Sequence, residues 1–179
     1  GAVFGLLGLM IAFTFSGAAS RFEDRRHLVT EEANDIGTAY LRIDLLPATV
    51  QPGMRELFRN YLDLRLETYR HGSDRAAAMK DYANSVEIQE AIWSMATKNC
   101  ESPDAATDAC KLLLPSLNDM IDITTTRLMA TYIHPPMIIF LLMGMMCLLS
   151  SLLAGYGMSS KSRNLLHMIV FAAIMSVTV

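Results

Sequence analysis

The chain has 179 residues, 52% of them apolar, and a formal net charge of −3. Those averages hide a segregation: all 18 acidic residues fall between Glu23 and Asp122, and residues 1–20 and 135–160 carry no charge at all. A soluble domain scatters its charges along every element, whereas a bilayer excludes them, so the pattern rules out an ordinary water-soluble globule.

The first segment, 1–20, is continuously apolar, and twenty residues of helix reach ~30 Å, about the thickness of the hydrocarbon core. A cleavable signal peptide competes with a true span, because Gly17, Ala18 and Ala19 offer small residues before a cut. The missing basic n-region and the length of the apolar run favour the span. Residues 21–46 then read as a helix continuing without a breaker, with Phe22, Val29, Ala33, Ile36, Tyr40 and Ile43 recurring at helical steps. Pro47 and the run Gln51, Pro52, Gly53 are expected to stop it.

A second helix, about Met54 to Arg70, presents Leu57, Phe58, Tyr61, Leu62 and Leu64. Residues 71–74 supply its terminator and the next N-cap. A third runs from Arg75 to about Lys98, with Ala76, Met79, Tyr82, Val86 and Ile92 inward. A long segment from Ala105 to His134 leads back to the membrane, and Pro115 is expected to kink or restart it. A second span occupies 136–156, a short basic loop 157–164, and a third apolar segment 165–179. The last reaches only ~22 Å, so it reads as an incomplete span. With the chain opening inside a span, a longer protein with a fourth apolar segment upstream is expected. The fold class that follows is an all-α membrane protein, with transmembrane helices flanking an extramembrane helical bundle at 21–134 and two long helices continuing out of the membrane.

The charge rule leaves orientation open. Lys161 and Arg163 mark the 157–164 loop as cytoplasmic, but Arg21, Arg25 and Arg26 crowd the domain side of the first span. Cys100 and Cys110 flank a polar loop, where a disulfide and two unrelated thiols are both compatible with the spacing. Cys147, inside a span, reads as a small packing residue.

Two polar clusters lie on the helices bordering the membrane. One holds Glu31, Glu32, Asn34 and Asp35, followed by Gly37, Tyr40 and Arg42; the other holds Asn118, Asp119 and Asp122, followed by Arg127. Side by side, these helices place both clusters ~17 Å from the membrane surface. Glu31, Asp35, Asp119 and Asp122 could ligate a divalent cation. The favoured reading is an interhelical network in which Arg127 or Arg42 neutralises the acids and Asn34 and Asn118 complete the hydrogen bonds. No Glu-x-x-His pair of the kind used by carboxylate di-metal bundles occurs. Gly37 would let a neighbouring helix approach closely.

The four histidines are dispersed, and no Ser/His/Asp grouping, phosphate loop or Cys/His metal cluster is visible, so neither enzymatic activity nor a cofactor or metal is expected. Met143, Met145 and Met146 read as lipid-facing or gap-filling rather than copper-binding residues. Gly155, Tyr156 and Gly157 match a potassium filter only by coincidence, lacking a preceding Thr-Val and a pore helix. Gly1, Gly5, Gly8 and Ala12 make one face of the first span small, suited to close packing against another helix.

The run Gly5 to Leu9, Phe13 to Ser16, Arg21-Phe22, Glu31 to Asn34, Ile36 to Arg42 and Leu45 to Pro47 resembles the bestrophin-like domain family of bacterial membrane proteins. Leu117-Asn118, Asp122, Arg127 and Gly155-Tyr156 are also similar to its pattern. The resemblance implies four membrane helices in two pairs around a helical domain. By analogy with true bestrophins it implies a homo-oligomer, an anion or cation pore and a domain on the cytoplasmic side. No ion site carries across residue by residue. The expected function is an oligomeric membrane protein of ion-channel type in the bacterial inner membrane, with an accessory or scaffolding subunit of a larger complex as the alternative. Its partners would be the lipid bilayer and further copies or other membrane subunits, with no nucleic acid.

Overall fold

The computed structural model describes residues 2–71, 74–102, 107–158, 168–170, 172–173 and 176. They form α1 (Ala2–Arg42), a 3-10 turn (Ile43–Leu45), α2 (Gln51–Arg70), α3 (Arg75–Cys100), α4 (Thr107–Tyr132) and α5 (Met137–Met158), with no strand among the described residues. The 157–164 loop beyond Met158 and most of the 165–179 segment lie outside the described residues, as does Gly1.

The chain divides into two compact units, one of Gly1–Arg25 with Thr131–Val179 and the other of Arg26–Ala130. In the first unit, α1 and α5 each supply a helix long and apolar enough to cross a membrane. The apolar window in each is only 6% buried. A core helix of a soluble protein hides such a window, so these two need an apolar solvent. The face of α1 turned inward carries Leu7, which is buried, and Thr14, whose hydroxyl donates to the Met10 carbonyl at 2.8 Å and meets Met143 Sδ at 3.6 Å. Arg25 Nη2 donates to the Ile133 carbonyl at 3.3 Å. That donor serves a stretch where Pro135 and Pro136 bring no amide hydrogens of their own.

In the second unit, Ala39, Ile43, Met54, Phe58, Tyr61, Ile92, Ala96, Leu113, Leu117 and Met120 build one core from α1, α2, α3 and α4. The C-terminal part of the face expected on periodicity turns in, with Ile43 buried and Ile36 and Tyr40 packed against the core, whereas Phe22, Val29 and Ala33 are exposed and Glu32 and Ala39 are buried instead. On α3 the inward residues are Ser85, Gln89, Ile92 and Ala96, with Ala76 and Met79 exposed. Pro52 sits in the first turn of α2 and helps start it, since its missing N–H falls where no helical acceptor exists. Gln51 Nε2 fastens that turn to the Leu46 carbonyl at 2.8 Å. Asp74 N-caps α3, accepting from the Ala77 amide at 3.1 Å.

Pro115 lies within α4, which runs through it without restarting. Its ring displaces the bond that Lys111 would accept, and the loosened turn finds a substitute donor: Arg42 Nη1 reaches the Leu112 carbonyl at 2.6 Å. Cys100 and Cys110 form a disulfide with Cα atoms 5.8 Å apart, tying the end of α3 to the start of α4. A loop of this length loses ~3 kcal/mol of unfolded-state freedom when closed. Replacing both cysteines by serine is therefore expected to lower the stability of this unit by about that amount, measured by thermal denaturation with and without reductant.

Candidate functional site

The polar residues singled out on sequence separate in the structure into a buried set and an exposed set. Glu32, 3% exposed, is the centre of the buried set. Its Oε1 accepts from Arg65 Nε at 2.7 Å, and its Oε2 accepts from the Tyr69 hydroxyl at 3.0 Å and from Arg127 Nη1. Three helices, α1, α2 and α4, thus meet on one carboxylate. Arg65 is 4% exposed and its Nη2 donates to the Tyr69 oxygen at 2.6 Å.

Two guanidiniums face one carboxylate, so the cluster carries an excess positive charge. Aromatic faces take it up. The Arg127 guanidinium lies 4.3 Å from the Tyr69 ring centre, and Arg65 lies 5.4 Å from Tyr69 and 5.8 Å from Tyr82. Arg65 Nη1 is buried without a hydrogen-bond partner, which makes those ring contacts the compensation for that edge. Burial shifts Arg127 below the ordinary arginine range and pushes the Tyr69 phenol up to about 12.

A neutral polar layer adjoins the cluster along the helices. The Tyr61 hydroxyl lies 2.9 Å from Thr124 Oγ1, and Gln89 Nε2 donates to both, at 3.1 and 3.0 Å. Arg65, Gln89 and Thr124 were not singled out on sequence. The signal existed: Met54, Phe58, Tyr61 and Arg65 follow one another at steps of four, three and four, which puts an arginine on the buried stripe.

The exposed set does not assemble into a network between helices. Asn118 Nδ2 donates to Asp122 at 2.8 Å within α4, and Asn34 is exposed. Glu31 faces His27 at 3.7 Å along the same helix. Arg42 serves the Leu112 carbonyl rather than an acid. Asp35 comes near Asp119 and Glu31, and its carboxyl is raised above the usual range by partial burial and then by those two charges. Among the described residues no group of three or more His, Cys, Asp or Glu side chains is placed to hold a metal. Gly37 has no neighbour within 4 Å of where a Cβ would stand, so the close approach expected there is not made among the described residues. It opens instead on an apolar groove of ≈ 370 Å³ between α1 and α2, lined by Ile36, Tyr40, Phe58 and Leu62. A second groove of ≈ 380 Å³ between α3 and α4 is lined by Gln89, Glu90, Trp93 and Asn118.

This division gives three expectations. Glu32→Gln leaves two buried guanidiniums without a counter-charge and should cost about 3 kcal/mol or more in thermal or denaturant unfolding. The exposed double substitution Glu31→Gln with Asp122→Asn should shift stability by roughly 0.5 kcal/mol or less, with or without added divalent cations. For Asp35 the raised folded-state value means that its contribution to stability is fully present in acid and lost as pH rises through that value. Asp35→Asn should therefore raise the melting temperature at neutral pH, with the gain vanishing below the carboxylate range.

A family model described as the Bestrophin-like domain matches residues 1–179. No curated protein and no solved structure matches the chain. The match spans both apolar helices and the whole of the helical unit between them, and the chain belongs to the bestrophin-like domain family.

Proposed function

We propose that this membrane protein is a non-catalytic subunit of a homo-oligomeric ion channel, in contact with lipid and with further copies of itself. The observation that carries the reading is the open small-residue face of α1. A Cβ added at Gly5 or Gly8 would meet nothing within 4 Å among the described residues, and Ala12 is exposed. In a bilayer such a face lets another helix approach closely, because lipid gives apolar side chains no reason to associate and fit decides. Membership of the bestrophin-like family supports conduction between the copies so assembled. The spans carry no carboxylate or arginine, which speaks against a proton-coupled transporter built on such groups at membrane depth.

An accessory subunit of a larger complex is the second reading. Trp93, 37% exposed beside the groove between α3 and α4, favours it as an aromatic anchor for a foreign protein.

One preparation tests both. Purified protein in liposomes should conduct ions, and Gly8→Cys should give disulfide-linked dimers of the chain under mild oxidation, since a bond between two identical positions requires two copies. A tight but non-conducting complex with other subunits, and no cross-linked dimer, would replace the channel with the accessory role.

A further inference from the structure

The charge pattern alone leaves the side of the membrane undecided, with Arg21, Arg25 and Arg26 on the domain side of the first span against two basic residues in the 157–164 loop. Two structural observations break the tie. The first is the Cys100–Cys110 disulfide. Thiols in the cytosol are kept reduced, and a structural disulfide persists where the surroundings are oxidising. Cys110 is buried beside the core residue Leu113, so the bond belongs to the packed end of the α3–α4 hairpin rather than to a frayed surface. The second is the use made of Arg25. Its guanidinium donates to the Ile133 carbonyl. That arginine has a bonding reason to stand where it does, which weakens its weight as a cytoplasmic signal. Lys161 and Arg163 lie in a short loop free of acids, the setting in which the positive-inside tendency is most dependable.

We propose that residues 26–130 stand on the oxidising, extracytoplasmic side of the membrane, stapled by Cys100–Cys110, while the 157–164 loop faces the cytoplasm. This placement is opposite to the cytoplasmic domain implied by analogy with true bestrophins. It holds whether or not the protein conducts ions. It also fixes where a ligand or partner of this unit must be met: outside the cell or in the periplasmic space, away from the nucleotide pool and the reducing buffer of the cytosol.

The test uses the full-length protein in intact cells, with Cys147→Ala to remove the remaining thiol of the described residues. Asn60→Cys places a reporter on an exposed position of α2 far in sequence from the disulfide, and Lys161→Cys places one in the loop. A membrane-impermeant maleimide should modify the Asn60→Cys variant in intact cells and the Lys161→Cys variant only after permeabilisation. In acid-quenched samples of the chain without reporters, Cys100 and Cys110 should become alkylated only after reduction. Labelling in the reverse order overturns the proposal. So does finding Cys100 and Cys110 as free thiols in quenched cells, whichever reporter is labelled.

Discussion

Hydrocarbon offers no partner to a charge or to an unpaired backbone group, and that exclusion sorts every part of this chain. Helix is the form in which a lone segment satisfies its own backbone there, and α1 takes it for 41 residues without a break. Its residues 2–20 carry no charge, and charged side chains begin at Arg21. The return path is handled differently. Pro135 and Pro136 interrupt the helix between α4 and α5, so the change of solvent on that side falls at a joint, and Arg25 supplies a donor close to it.

The ionic groups gathered in the Arg26–Ala130 unit must be either hydrated or paired, and both solutions occur. Most acids remain on the surface. Glu32 is the exception, and its burial is tolerable because three donors from two other helices converge on it. Such a buried ion cluster is poor evidence for stability in itself, since an apolar replacement of similar volume is often as stable. Its value lies in register. An apolar stripe on α2 could slide by a turn against α1 and α4 and still find apolar neighbours, whereas Arg65 has one carboxylate to meet. The Tyr61, Gln89 and Thr124 contacts repeat the device with neutral groups one turn along α2 and bring in α3.

Much of this was legible in the sequence, and the part that was not has a definite cause. Charge segregation marked the two spans, and His71, Asp74 and Pro135-Pro136 marked helix ends, because these signals are local. Glu32 and Arg127 stood among the polar residues singled out, but the acids expected to matter most, Glu31, Asp35, Asp119 and Asp122, belong to the exposed or half-buried surface. Amphipathic reading assigns every charge to water, so it overlooked Arg65 on the buried stripe of α2 and turned the inward face of α1 toward Val29 and Ala33. Pro115 was expected to kink or restart α4 because propensity is a local rule, and the helix runs on without restarting. The continuous helix reflects tertiary packing through Leu113, Leu117 and Met120, with Arg42 restoring a donor from another helix.

The central claim is that α1 passes from lipid to water along a single helix. Spin labels placed at Phe13 and at Asn34, both on exposed faces of α1, test it directly in the reconstituted protein. The account predicts that the Phe13 label relaxes with molecular oxygen and is shielded from a water-soluble nickel chelate, while the Asn34 label shows the opposite preference. A Phe13 label reached by the chelate as readily as the one at Asn34 would contradict it.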